Sequence, residues 1–269
     1  MSSIATNTNA AKAERAMVGA SQAVQQATAH LATGSRILSA ADDSAGLAIS
    51  TRMSSDMISL NRAMRNANDG VSMLQTADSA SGDIGNALVR MRELAVQAAN
   101  GTYTDQDRSA LSNEFAQLRE HISTTVENTR WNGRNLLDGS MATAHLQIGA
   151  TSNDAQTVDM ADFKDLQALG SSIGTATEAK SALDAIDASL SSVDNTRVQW
   201  GAAMNRLVRA SDASANITEK LSASRSKIMD TDYAQATADL ARAQIMQTAG
   251  KAMLSQANES PMSVMRLLR

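Results

Sequence analysis

The sequence predicts a mainly α fold: a long antiparallel coiled-coil helical rod, paired N- and C-terminal helices, and a small β-hairpin region in mid-chain. Three observations predict it. Hydrophobic residues make up 43% of the 269 residues but aromatic residues only 2%, which suits thin helix–helix seams better than a thick globular core. Pro261 is the single proline, so helix breakers are scarce and long helices are permitted. Apolar residues recur at alternating steps of three and four over long stretches, the spacing of a coiled-coil face.

The elements follow in order. Near the N-terminus, Met17, Ala20, Val24, Ala27 and Leu31 mark one amphipathic helix. The stretch SAADDSAGLAI (Ser39 to Ile49) places Asp42 beside Asp43 among small residues. Adjacent carboxylates on a helix point about 100° apart and do not converge on one ligand, whereas Ser39 and Asp42 have capping-box spacing. This stretch therefore predicts a helix start, not a metal site or an acid–base pair.

A long helix is expected from about Ser44 to Asn100, roughly 80 Å at 1.5 Å per residue. Its stripe runs Met57, Leu60, Met64, Ala67, Val71, Leu74. It resumes, offset by one residue, at Ile84, Leu88, Met91, Ala95 and Ala98, which predicts a drifting seam. Asn100-Gly101 is the stop signal.

A shorter helix is expected from Asp105 to Asn128, with a stripe of Leu111, Phe115, Leu118, Ile122 and Val126. Asn132-Gly133 and Asp138-Gly139 read as turns, and the alternation in AHLQIGA reads as a small β region within about 139–170. Helical spacing returns at Thr177. One line is Ile186, Val193, Trp200 and Leu207, its partner Leu183, Leu190, Arg197 and Met204, with Ile217, Leu221 and Ile228 continuing the stripe. Leu240, Ala243, Ala249 and Met253 mark a C-terminal helix, and Val264, Leu267 and Leu268 close the chain.

Several function classes are excluded. The net charge of −4 comes with no Lys/Arg block, which removes the footprint of a nucleic-acid binder. No apolar run of membrane-spanning length is present, and the stretch MSSIATNTNAAKAERAM lacks the basic patch and apolar core of a secretory signal. Absence of cysteine excludes disulfides, thiolate metal sites and thiol catalysis. His30, His121 and His145 sit in no ligand-spaced motif, and no nucleotide-binding or hydrolase signature occurs. No catalytic, cofactor or metal site is expected.

The terminal helices are the informative feature. Narrow Ala/Leu/Met stripes bury little surface, at about 25 cal/mol per Å², against their ordering entropy. Helices of this kind need a partner, and other copies of the same chain are the simplest one. Met17, Val24, Leu31, Leu240, Met253, Val264, Leu267 and Leu268 are the candidate self-assembly residues.

Motifs in both halves now carry a resemblance. TGSRILSAADDSAGLAIS, LNRAMRNANDGVSMLQTADSA, LVRMRELAVQAANGT and TRWNGRNLLDGS stand in the first half. WGAAMNRL, ASRSKIMDTDYAQ, QIMQTAGKAMLSQAN and VMRLLR stand in the second. In order and spacing the chain resembles bacterial flagellin, with His30, Leu38 and Trp131 where that family commonly has arginine, asparagine and phenylalanine.

The resemblance implies a self-assembling filament subunit for motility. It implies an inner layer at residues 1–44 and 226–269 and a rod at 45–225. The interval from Gly139 to Thr177 is too short for an outer domain, which points to a minimal member. It also implies export by the flagellar type III apparatus, a chaperone at about Asp230 to Arg269, and hook-associated and cap proteins as partners. By the same resemblance, Arg90, Leu94 and Glu114 match positions through which an animal innate immune receptor detects some flagellins. The rival expectations are a hook–filament junction protein and a soluble signalling coiled coil.

Overall fold

A computed structural model describes residues 6–267 of the chain, with side chains described through residue 260. Two compact units are present: Met1–Ser55 with Lys220–Arg269, and Asp56–Glu219. In order, the helices are α1 (Thr8–Thr33), α2 (Ser44–Ala98), α3 (Asp105–Asn128), α4 (Ala176–Met229) and α5 (Tyr233–Leu267). Between α3 and α4 lie strands β1 (Arg130–Trp131), β2 (Arg134–Asn135), β3 (Thr143–Gln147) and β4 (Ala155–Asp159), then a 3₁₀ turn at Gln167–Gly170.

In the central unit, α2 and α4 run antiparallel, because successive cross-links pair rising with falling numbers. Arg92 Nε donates to Asp187 Oδ1 at 2.7 Å and Arg197 Nε to Asp78 Oδ1 at 2.8 Å. Near the other end of α4, a Cβ on Gly70 would lie 3.2 Å from Leu207 Cδ1. The buried line of α2 is Leu60, Ala63, Ala67, Gly70, Leu74, Ala77, Ser81, Ile84, Leu88, Met91, Ala95 and Ala98. These steps alternate strictly between three and four, so the expected drift near Ser79 does not occur. The seam crosses that patch on Ala77 and Ser81, both 0% exposed, and the Ser81 hydroxyl donates to the Ala77 carbonyl of its own helix. Small residues let the helices approach where larger ones would hold them apart.

The facing line of α4 is Ala179, Ala182, Ile186, Ser189, Val193, Trp200, Ala203 and Leu207. Buried Ser189 uses its hydroxyl to accept from Ala168 N–H at 3.0 Å, which ties the 3₁₀ turn to the helix. Beyond Leu207 the line continues in steps of seven through buried Ser214 and half-buried Leu221 and Ile228, whereas Ile217, expected on the same stripe, lies off it at 48% exposed.

Helix α3 starts with a capping box. Thr104 Oγ1 accepts from Asp107 N–H, and the Asp107 carboxylate accepts from Thr104 N–H. Phe115, Ile122 and Val126 are buried, and Leu111 and Leu118 pack at the margin of the same core.

The Asn132-Gly133 turn joins β1 to β2 with φ of 48° and 78°, the left-handed pair that a two-residue hairpin requires. Strands β3 and β4 pair antiparallel, Thr143 opposite Asp159 and Gln147 opposite Ala155. Their inward residues Ala144 and Val158 join the core. Trp200 seats this sheet: it is 0% exposed, its ring stands 6.5 Å from Phe163, and its Nε1 donates to the Asp159 carbonyl at 3.0 Å.

Asp138 closes the preceding turn. Hydrogen bonds from the Ser140 side chain, the Asn135 amide and Ser140 N–H hold its pKa down, from 3.8 to about 2. A carboxylate with a depressed folded-state pKa contributes stability that is complete above its unfolded value and is lost as pH falls through the folded one. Tryptophan-monitored melting temperature should therefore drop as pH falls from 3.8 toward 2, and Asp138→Asn should weaken that dependence. It should not abolish it, because hydrogen bonds from Thr104 hold Asp107 low as well. An unchanged acid profile in Asp138→Asn would count against this turn as an acid-labile joint.

Candidate self-assembly interface

The terminal unit is built on the α1–α5 pair. The facing line of α1 is Ala10, Ala13, Met17, Ala20, Val24, Ala27 and Leu31, spaced three and four throughout. The facing line of α5 is Ala236, Leu240, Ala243, Gln247, Gly250, Leu254 and Ala257. The helices are antiparallel: Tyr233 Oη donates to Leu31 O at 3.4 Å, and Asn7 Nδ2 donates to Ala257 O at 2.8 Å. Between these ends a Cβ on Gly250 would sit 3.5 Å from Met17 Cβ, so the backbone of α5 lies close against α1 at that level.

Asn7 also caps α1, accepting from Ala10 N–H through Oδ1, and Gly34 ends the helix in the left-handed conformation. The joint after it is stapled to the end of α4. Arg36 N–H donates to Met229 O at 2.6 Å, Arg36 Nη2 to Ile228 O at 2.8 Å, and Thr231 N–H to Gly34 O at 2.9 Å.

The aspartate pair divides the work of starting α2. Asp42 Oδ2 accepts from Leu38 and Ser39 N–H, and these bonds lower its pKa; Asp43 Oδ1 accepts from Gly46 N–H and caps the helix. The helix start is where the sequence places it, but the capping residue is Asp43, not Ser39. Among the described residues no group of three or more His, Asp or Glu is placed to hold a metal ion.

Burial inside the α1–α5 pair is shallow. Among the described side chains, its buried apolar residues are Ala20, Ala27, Ala236 and Ala243, all alanine. Met17, Val24, Leu31 and Leu240 face the seam and are half-buried. Met253 does not face it, and neither does Ala249. The seam positions there belong to Gln247, Gly250 and Leu254. Met253 is instead 63% exposed and shares a second face with Met246 at 56%, while Ile245, at 67%, is exposed on the adjoining side of the helix. A groove of ≈ 730 Å³ runs along this face, lined by Lys12, Ala16, Met246, Ala249, Met253 and Gln256 among others. Val264 and Leu267 lie in α5 beyond the described side chains, and Leu268 lies outside the described residues.

In the central unit Arg90 and Glu114 come together. Arg90 Nη2 and Nε donate to Glu114 Oε1 at 2.8 and 2.9 Å, and Nη1 donates to Glu93 Oε2 at 2.8 Å. Bonds to Glu93, then Glu114, raise the arginine pKa. All three side chains are about half exposed, so solvent screens these pairs and they add little to stability. Leu94 is separated from them: at 1% exposed it is a core residue, and its side chain is not available to a docking partner.

The comparisons agree with this geometry. Residues 4–142 match the bacterial flagellin N-terminal helical region and residues 183–268 the bacterial flagellin C-terminal helical region. A flagellin of Halalkalibacterium halodurans is 41% identical over 250 residues, covering 91% of this chain and 92% of that protein. The crystal structure of Bacillus cereus flagellin superposes with a TM-score of 0.53 at 31% identity, over 56% of this chain and 88% of that one. A structure assigned to the flagellar hook-associated proteins of Vibrio parahaemolyticus reaches a TM-score of 0.62 over 70% of this chain and 100% of that one. At 17% identity, that is a likeness of fold alone. Two family models matched in order and a relative of nearly equal extent settle the affiliation: the chain belongs to the bacterial flagellins, the structural subunits of flagellar filaments, and is not an enzyme.

Proposed function

We propose that this flagellin polymerises through the α1–α5 pair, whose outer apolar face neighbouring copies cover, and that the pair becomes fully ordered only on assembly. The carrying observation is the exposed pair Met246 and Met253 along one groove, with Ile245 exposed on the adjoining side of α5, beside a seam whose buried residues, among the described side chains, are alanines. A buried methyl contributes about 0.8 kcal/mol, while ordering costs about 1–2 kcal/mol for every residue of backbone. α1 and α5 have 26 and 35 residues. Contacts between copies offset that difference, and folding coupled to assembly follows.

Within the same proposal, residues 1–44 and 226–269 form the inner layer of the filament and 45–225 the rod. The chain reaches the growing tip as a filament subunit secreted through the flagellar type III export apparatus, with a chaperone holding the region from Asp230 to Arg269 beforehand. Hook-associated and cap proteins bound the filament. An animal innate immune receptor reads the rod through Arg90 and Glu114, with Leu94 supporting them from the core.

The test is Met253→Glu. A carboxylate on this face must be desolvated when a neighbour docks. Seeded polymerisation followed by negative-stain electron microscopy should fall at least tenfold, roughly, in rate or yield. Tryptophan-monitored stability of the central unit should stay within about 0.5 kcal/mol of the parent. Normal filaments from Met253→Glu would refute this face as the contact.

A further inference from the structure

We propose that Met246 and Met253 form an oxidation site that gates polymerisation, so that a subunit oxidised before assembly is rejected by the growing filament. The proposal rests on the assembly reading above and adds a chemistry to the same face. Its basis is the way exposure is distributed over the methionines. Among those with described side chains, Met246 and Met253 are the exposed ones, at 56% and 63%, while Met73, Met91 and Met141 are buried at 6%, 0% and 7%. Met17, Met53, Met57, Met64, Met160, Met204 and Met229 are half-buried. The two exposed sulfurs are seven residues apart on one helix, two turns along the same face, and both line the groove beside α1.

The oxidant is a peroxide. The thioether sulfur attacks one peroxide oxygen with a lone pair, the O–O bond breaks and an S–O bond forms. With hydrogen peroxide the second oxygen leaves as hydroxide, takes the proton from the newly formed S–OH group and departs as water. Sulfur is oxidised by two electrons and the peroxide is reduced by two. The product, methionine sulfoxide, replaces a flexible apolar side chain by a polar one and is reversible by methionine sulfoxide reductases. The groove is lined by Ala16, Ala249 and the two methionines together with Lys12 and Gln256, and a sulfoxide there is bulkier and more strongly hydrated than the thioether; its S–O group must give up water when a neighbour covers the face, so docking loses affinity. In the monomer the sulfurs face water; in the filament they are covered. Reaction is therefore confined to the subunit before it is incorporated.

The experiment treats the full-length monomer with a limited amount of hydrogen peroxide. Oxygen uptake is located by peptide mass spectrometry, and seeded polymerisation is then measured before and after incubation with methionine sulfoxide reductases. The expected result is uptake at Met246 and Met253 ahead of Met73, Met91 and Met141. Polymerisation should fall about tenfold or more and return after reduction; in Met246→Leu/Met253→Leu the readout is the ratio of treated to untreated polymerisation of that same variant, whatever its untreated rate, and this ratio should stay near one. Preformed filaments should take up oxygen at these positions more slowly than monomer. Undiminished polymerisation of a monomer carrying both sulfoxides overturns the gate and leaves the assembly reading standing. Equal loss in wild type and the double variant also overturns it, by placing the sensitive sulfur elsewhere. An untreated chain that never polymerises overturns the assembly reading and the gate together.

Discussion

Trp200→Ala should lower the melting temperature by about 10 °C, the largest single-residue effect expected in the central unit. Trp200 is 0% exposed and stands where α4, Phe163 and the end of β4 meet. Truncation leaves a cavity and removes the donor to the Asp159 carbonyl, and a loss of about 3–5 kcal/mol follows from the cavity mechanism. Trp200→Phe separates the two contributions. It keeps most of the ring but leaves that carbonyl unpaired, so about 1–3 kcal/mol should be lost. Thermal unfolding by circular dichroism measures both. A Trp200→Ala chain that melts like the parent would show that the helical seams alone hold this unit and that the sheet is an appendage.

Deletion of α5 from Tyr233 onward should abolish polymerisation while leaving the central unit intact. α1 then loses the seam formed by Ala236, Leu240, Ala243, Gln247, Gly250, Leu254 and Ala257. It retains only a narrow Ala, Met, Val and Leu stripe facing solvent. An isolated helix of 26 residues with that composition is marginal in water. Helicity should fall by about what α1 and α5 contribute, with Trp200 fluorescence unchanged. Filaments from the deleted chain would mean that assembly is carried by the central unit.

Much of this fold was legible because long helices with few breakers leave a strong period. The boundaries of α3 coincide with those expected, since Thr104 and Asp107 supply a complete cap and Thr129 leaves the helical region at the other end. The seam of α2 was only half legible. Ala63, Gly70, Ala77 and Ser81 carry little apolar signal of their own, although small residues are what a close helix crossing selects. The seam of α5 is obscured for a related reason. Ala249 and Met253 look like seam residues when one apolar face is assumed, but this helix carries two. Gly250 takes the position against Met17 because the backbone comes close there, and the methionines are left outward.

Leu94 shows the limit of carrying a motif by position. Its residue type matches, but the core of this chain takes its side chain while Arg90 and Glu114 pair at the surface. The exposed face of α5 could have been flagged from the sequence by plotting Ile245, Met246 and Met253 against the seam, but only once the seam itself was correctly phased.

Hydrogen exchange of the full-length chain, measured as monomer and again as seeded filament, tests the central claim most directly. The account predicts that amides of α1 and α5 exchange rapidly in the monomer and become strongly protected in the filament, while those around Leu88, Trp200 and Leu207 are protected in both. Strong protection of α1 and α5 already in the monomer, unchanged on polymerisation, would contradict it, because the pair would then be complete without its neighbours.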